Sequence, residues 1–148
     1  NDPDGVNSTC GLHVHFSLGC FEYSFLVANY KKFYADYMRF LEYFGNSRRI
    51  KPSSSFWHRL AGESTYCRNQ IDMRKINRQL ENTSYDSSRY CHLNFCYAKH
   101  KTVEFRSACA FKDRRISADF VKALYDFVNT WLMMNESKQK SLSIEVEI

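Results

Sequence analysis

Two runs of alternating apolar and polar residues, 89–97 and 102–109, constrain the fold of this chain most strongly. Successive side chains of a β-strand point to opposite faces, so this alternation is typical of strands with one buried face and one polar face. The runs are separated only by residues 98–101, a length that suits a hairpin loop. The sequence therefore predicts an antiparallel pair of strands.

The polar positions of these runs share one face of each predicted strand. His92 and Asn94 alternate with apolar residues in the first run, and Glu104 and Arg106 do so in the second. A carboxylate suits a hard cation and a guanidinium suits phosphate, so Glu104 and Arg106 together indicate a metal and polyanion site. Taken alone, the pair is more typical of an exposed cross-strand ion pair.

A third strand is predicted where apolar residues at 12, 14, 16 and 18 alternate with His13, His15 and Ser17. The two imidazoles would lie on one face about 7 Å apart, close enough to address one metal and phosphate site. Taken alone, such a pair is more typical of half-exposed strand histidines that hydrogen-bond to their neighbours.

Two amphipathic helices are predicted from apolar residues that recur at spacings of three and four over 21–44 and over 117–135. Gly45 predicts the end of the first helix, and Ser117 predicts the N-cap of the second. An antiparallel sheet with both helices packed on one face is an α+β architecture. We therefore expect the α+β class.

The rest of the chain gives weaker patterns. Residues 46–68 contain Ser, Pro and Gly that break any period, which predicts a long loop. Residues 69–82 have a thin apolar stripe that predicts a short helix. Residues 136–148 predict a polar linker that ends in a short alternating strand over 144–148.

Composition narrows the classes of protein to which this chain can belong. The chain has 148 residues, about one domain, and its 44% hydrophobic and 25% charged content is typical of globular proteins. Its net charge of +5 favours anionic partners. No apolar run approaches the roughly 20 residues of a membrane-spanning helix, and the six cysteines form no CxxC pair. We expect a cytoplasmic protein with reduced thiols and no membrane partner.

Three segments in this order resemble the motifs of a known enzyme family. They are 7–15 (NSTCGLHVH), 89–94 (RYCHLN) and 102–106 (TVEFR). Together they resemble the amidoligase family of the glutamine synthetase-like carboxylate-amine ligases, over residues 7–131. The resemblance implies a partial glutamine synthetase-like catalytic domain at residues 1–135, followed by the linker and strand described above.

The resemblance implies an ATP-dependent ligase. In such enzymes a carboxylate attacks the terminal phosphate of ATP to form an acyl phosphate, and an amine then captures the acyl group as an amide or isopeptide. The implied partners are ATP, Mg²⁺ or Mn²⁺, a carboxylate such as an amino acid or peptide, and an amine. His13 and Glu104 would bind the cation, and His15 would contact phosphate.

The resemblance also implies roles for further polar residues. Arg106 and Arg89 would steady the transferring phosphate or the substrate carboxylate, and Asn94 would support the site beside the nucleotide. Arg48 and Arg49 follow a serine in a predicted loop, where family members also place arginine. They are either nucleotide contacts or solvated loop charges.

The chain departs from the family pattern in one respect. The family's opening strand with paired glutamates does not precede His13, and residues 51–88 match no motif. Glu145 and Glu147 have that pairing at the opposite end of the sequence, where an ordinary strand end is the simpler interpretation. We therefore expect an incomplete metal site.

Two other functions are consistent with the sequence. The basic and aromatic residues suit a non-catalytic module that holds RNA or single-stranded DNA. The basic residues are dispersed between positions 31 and 115, however, and show no nucleic-acid motif. A small-barrel metal site built on the two histidines lacks the acidic and third-histidine spacings of a cupin.

Overall fold

A computed structural model describes residues 11–64, 67, 79–80, 90–95 and 101–147, with side chains as far as residue 135. In chain order the elements are β1 (Val14–Ser17), α1 (Cys20–Ala28), α2 (Tyr30–Ser47), α3 (Ser55–Leu60), β2 (Leu93–Asn94), β3 (Thr102–Phe105) and α4 (Arg114–Glu147). A three-stranded antiparallel sheet combined with helices confirms the predicted α+β class.

The described sheet has the order β1-β3-β2, with β3 in the centre. Both pairings are antiparallel, which confirms the strand pair predicted from the two alternating runs. In the register, His15 and Asn94 both lie directly opposite Glu104, one from each neighbouring strand. The central strand therefore presents Glu104 between the two outer strands.

Both faces of the central strand are buried. Val103 and Phe105 lie in the hydrophobic core, and on the other face Glu104 is only 4% exposed and Arg106 only 7% exposed. The alternative interpretation, an exposed cross-strand ion pair, therefore does not hold: the pair is formed but buried. Alternation predicted which residues share a face, but only the packing of distant segments decided that the polar face is covered too.

The predicted helix over 21–44 is interrupted at Asn29. The Asn29 side-chain amide donates to the carbonyl of Phe25, and its backbone N–H is shared between the carbonyls of Phe25 and Leu26. Asparagine competes in this way with regular helical hydrogen bonds, which explains why α1 ends here and α2 begins. The expected stop at Gly45 is also wrong, because α2 continues to Ser47.

A short helix, α3, lies within the predicted loop at 46–68. Its N-cap is Ser54, whose hydroxyl accepts a hydrogen bond from the backbone N–H of Phe56. Phe56 is buried, and the Trp57 indole donates to the carbonyl of Ile50. The prediction of a loop is therefore wrong over these residues. Six residues are too few to show helical periodicity in the sequence, which explains why the helix was not predicted.

The last helix is longer than predicted and begins earlier. The Asp113 side chain accepts from the Arg115 backbone, and the Asp113 carbonyl accepts from Ser117, so Ser117 lies inside the first turn instead of at the N-cap. The backbone is helical to Glu147, so the predicted linker and strand at 136–148 are wrong. No Gly or Pro interrupts this segment, and its Glu, Lys and Gln favour helix.

Aromatic side chains join the helices to the sheet. Phe105 of β3 meets Phe33 and Tyr37 of α2 at ring-centre distances of 6.1 and 5.3 Å, and Phe33 meets Trp131 of α4 at 4.9 Å. Phe16 of β1 also contacts α4. The predicted packing of the second helix through its apolar face is thus confirmed in the described core.

Further observations concern membrane-spanning helices, the cysteine thiols and the helix predicted over 69–82. No helix within the described ranges has both the length and the apolarity required to cross a membrane. Among the described residues, Cys20, Cys67, Cys91 and Cys109 are free thiols, and Cys10 and Cys96 lie outside the described part of the chain. The helix predicted over 69–82 lies largely outside the described residues; Gln79 and Leu80 are helical.

Gly45→Ala should destabilise the packing of α2 on α3. A Cβ atom at this position would lie 2.6 Å from the rings of both Phe56 and Trp57. We expect the free energy of unfolding in urea to fall by about 1–2 kcal/mol, because overpacking outweighs the better helix propensity of alanine. Gly19→Ala is the matched control, since its Cβ would meet only the rotatable end of Glu22. Equal stability losses in both variants would contradict the prediction.

Candidate functional site

The Glu104 carboxylate is the centre of a polar cluster on the sheet. Its Oε1 accepts hydrogen bonds from Asn94 Nδ2 at 2.9 Å and from Arg106 Nη1 at 3.1 Å. Its Oε2 lies 3.1 Å from His15 Nε2 and 3.5 Å from His13 Nδ1. All five of these side chains were singled out from the sequence, and the fold brings them together.

The sheet register explains this convergence. His15 on β1 and Asn94 on β2 flank Glu104 directly, and such cross-strand neighbours have side chains in contact on one face. Arg106 and His13 each lie two residues from a member of this row, so they point to the same face. Antiparallel pairing thus joins residues that are 93 positions apart in the chain.

The environment of Glu104 keeps its carboxylate ionised. Burial by itself would raise the pKa of this group, but the hydrogen bond from Asn94 and the charge of Arg106 outweigh burial and hold the pKa below its ordinary value. The cluster therefore contains a negative charge at neutral pH, and protein donors hold one of the two carboxylate oxygens, Oε1.

His13 is held in its neutral form. Burial, followed by the positive charge of Arg106, lowers the pKa of His13 to about 4, although Glu104 acts in the opposite direction. The Arg106 guanidinium lies 3.5 Å from His13 Nδ1. A neutral imidazole retains a lone pair at pH 7, so His13 can act as a base or as a metal ligand.

Arg59 was not predicted from the sequence and lies directly behind the cluster. It is 0% exposed, and its Nη2 donates to the carbonyl of Arg106 at 2.6 Å. Its Nε and Nη1 have no hydrogen-bond acceptor within the described ranges. A Cβ atom on Gly11 would collide with this guanidinium. The short helix that carries Arg59 has no periodic signal, so sequence reasoning had no means of finding it.

His92 connects α2, α3 and the sheet. Its Nε2 lies 2.8 Å from the carbonyl of Arg59, which can only accept, so Nε2 carries the proton and donates. Its Nδ1 then accepts from the Tyr34 hydroxyl at 2.9 Å. The ring is fully buried, and burial lowers the pKa of His92 to about 4. His92 therefore supports the cluster from behind as a neutral residue.

Two predicted site arginines lie at the end of α2. Arg48 forms an ion pair with Asp119 at 2.9 Å and stacks over the Phe44 ring. Arg49 follows the helix with a left-handed φ of 55°. Their described contacts do not include any member of the Glu104 cluster.

Three other residues were predicted from the sequence. Arg89 lies outside the described residues. Glu145 and Glu147 lie on the helical backbone of α4, so the structure does not form a paired-glutamate strand from them.

The protonation states of His13 and Glu104 suit a divalent cation, but the described residues offer few ligands. Neutral His13 and ionised Glu104 are both competent donors, and Mg²⁺ prefers oxygen ligands. Glu104 Oε1 already accepts from Asn94 and from the positively charged Arg106, and His15 Nε2 lies 3.1 Å from Oε2. Across the described part of the chain, no group of three or more His, Cys, Asp and Glu side chains is arranged to hold a metal ion. Further oxygen ligands would be needed.

His92 should make the fold sensitive to mild acid. Because its pKa in the folded protein is about 4, against 6.5 for an ordinary histidine, the unfolded chain takes up a proton that the folded one excludes. The stabilisation is complete above pH 6.5 and is lost as the pH falls towards 4. We expect His92→Gln to reduce the difference in free energy of unfolding between pH 7 and pH 4 by up to ~3 kcal/mol.

The control for this measurement is His58→Gln. His58 is exposed on the surface, where solvent screens its contact with Glu63, so this variant removes an imidazole without removing a buried one. His13 contributes in the same pH range in all three proteins, so it does not affect the comparison. If His92→Gln keeps the parent's pH dependence, the buried neutral state assigned to His92 is wrong.

Comparisons with known proteins add nothing to this geometry: no protein-family model, no curated protein and no solved structure matches the chain. The candidate site is therefore defined by the positions and chemistry of its own residues, with Glu104 at the centre, His13 and His15 at the surface and Arg106 beneath them.

Proposed function

We propose that this chain provides the nucleotide-binding and phosphate-binding part of an ATP-dependent carboxylate-amine ligase similar to the amidoligases. The enzyme would form an amide or isopeptide bond through an acyl phosphate. The supporting observation is that four side chains, His13, His15, Asn94 and Arg106, surround the Glu104 carboxylate, and that all five residues come from the three segments that resemble that family.

The exposure of the cluster supports a division of roles. The side chains of His13 and His15 are 37% and 45% exposed, whereas those of Glu104 and Arg106 are 6% and 8% exposed. A phosphate or carboxylate arriving from solvent would meet the imidazoles first. Glu104 would orient them, and the Arg106 guanidinium, paired with Glu104, lies beneath them.

The proposed reaction has two steps. In the first, an oxygen of the substrate carboxylate attacks the terminal phosphorus of ATP, the bond to the bridging oxygen breaks, and ADP leaves. In the second, the amine attacks the acyl carbon, its nitrogen loses a proton, and inorganic phosphate leaves. His15 and Arg106 would hold the transferred phosphoryl group, and neutral His13 is available as a ligand or proton acceptor. Magnesium, when bound, would neutralise part of the charge on the phosphates.

The alternative of a nucleic-acid-binding module is not favoured by any described contact. Three surface arginines, Arg39, Arg48 and Arg115, each form an ion pair with an aspartate, which reduces the positive potential available to a phosphate backbone. We therefore retain the ligase as the single proposal.

The ligase proposal is tested by amine-dependent phosphate release from ATP. Hydroxylamine serves as the amine, because it converts acyl phosphates into hydroxamates, and a panel of amino acids and dipeptides supplies the carboxylate. We expect Glu104→Gln and Arg106→Ala to reduce hydroxamate formation at least ~100-fold, because each removes a charge from the cluster. His13→Ala should weaken binding of a non-hydrolysable ATP analogue with Mg²⁺ at least ~10-fold.

Matched controls separate the site from general effects. His58→Ala removes a surface imidazole, and Arg115→Ala removes an exposed guanidinium that pairs only with Asp113 among its described contacts. Both should keep the parent activity. Equal turnover by Glu104→Gln and the parent protein would show that the cluster is not the catalytic site, and binding of the analogue without any hydroxamate would overturn the ligase assignment itself.

A further inference from the structure

A second concave surface lies between α2 and α4, away from the Glu104 cluster. It is a groove of about 650 Å³, within the usual range for small-molecule sites. No member of the cluster lines it. Its apolar lining consists mainly of aromatic side chains and one thioether: Phe40, Tyr43, Phe44, Phe127, Trp131 and Met134.

The floor of this groove, which we call the α2–α4 groove, is held in place by specific contacts. Trp131 is buried, and its indole Nε1 donates to Asp36 Oδ2 at 2.9 Å. Phe40 and Phe127 stack across the two helices with ring centres 4.9 Å apart. A floor of this kind is formed before any ligand arrives, so binding would require little ordering of the protein.

The rim of the α2–α4 groove is apolar and open to solvent. Tyr43 is 73% exposed and Met134 is 59% exposed, one on each of the two helices. Methionine and tyrosine side chains adapt to differently shaped ligands. A ligand that covers them removes their apolar surface from water, which favours binding. The groove therefore combines a fixed aromatic floor with an adaptable rim.

The charges along the groove indicate the sign of the ligand. Asp36 is already engaged by Arg39 and Trp131, and Arg48 is already engaged by Asp119. Asp126 also lines the groove, and its carboxylate has no hydrogen bond or ion pair within the described residues. An uncompensated carboxylate beside several aromatic faces attracts cations, both by its charge and by the ring quadrupoles.

We propose that the α2–α4 groove binds an amphipathic amine, with an aromatic or branched apolar group on the Trp131 floor and a protonated nitrogen at Asp126. This site is separate from the proposed ligase site, and neither proposal depends on the other. The ligand class follows from the aromatic lining together with the carboxylate of Asp126, which has no partner among the described side chains.

The test uses three probes that share one apolar group and differ in charge: 4-phenylbutylamine, 4-phenylbutan-1-ol and 4-phenylbutyrate. Binding is followed in the intact chain by the NMR signals of the two indole N–H groups. The Trp131 signal should shift on titration, whereas the Trp57 signal, whose N–H donates to the Ile50 carbonyl, should not. We expect the amine to bind roughly fivefold tighter than the alcohol, and the carboxylate to bind most weakly.

Variants separate charge selection from apolar binding. Asp126→Asn should bring the amine and the alcohol to the same affinity, while Glu42→Gln, which removes an exposed carboxylate that does not line the groove, should keep the preference. Ala123→Phe should fill the groove and abolish binding of all three probes, with the Trp57 signal reporting that the fold is intact. Equal affinities of the parent protein for the three probes would overturn the amine assignment, and an unchanged Trp131 signal would overturn the site.

Discussion

The ion pair between Glu104 and Arg106 is the interaction on which the polar side of the sheet depends. Both side chains are withdrawn from water, and a buried charge is tolerated only when its remaining hydrogen-bonding capacity is satisfied. Here Asn94 and the two histidines complete the surroundings of the carboxylate. Slipping either outer strand by one residue would turn these partners to the opposite face and leave Glu104 inadequately compensated.

Behind this pair, α3 acts as the support of the cluster. Arg59 donates to the carbonyl of Arg106, and its own carbonyl accepts from His92, which in turn accepts from Tyr34 on α2. A chain of buried hydrogen bonds therefore joins two helices to two strands. This network lies beneath the exposed His13 and His15 and links the cluster to the helices behind it.

The α2–α4 groove has a different physical basis. Its floor is an extension of the aromatic core, in which Phe33 joins Trp131 on one side to Phe105 of the sheet on the other. The Glu104 cluster and the groove therefore lie in contact with a shared core while differing in chemistry. One is built from charges that compensate each other, and the other from apolar surface and the Asp126 carboxylate, for which the described part of the chain shows no partner.

The sequence by itself determined the strand alternation, the apolar face of the last helix and the residue types of the cluster. These follow from local periodicity, which depends on neighbours only a few positions away. Tertiary structure alone decided that Glu104 and Arg106 are buried, that α3 places Arg59 behind them, and that Arg48 pairs with Asp119 instead of joining the cluster. Burial and partner choice depend on segments that are distant in the chain, so no local pattern contains them.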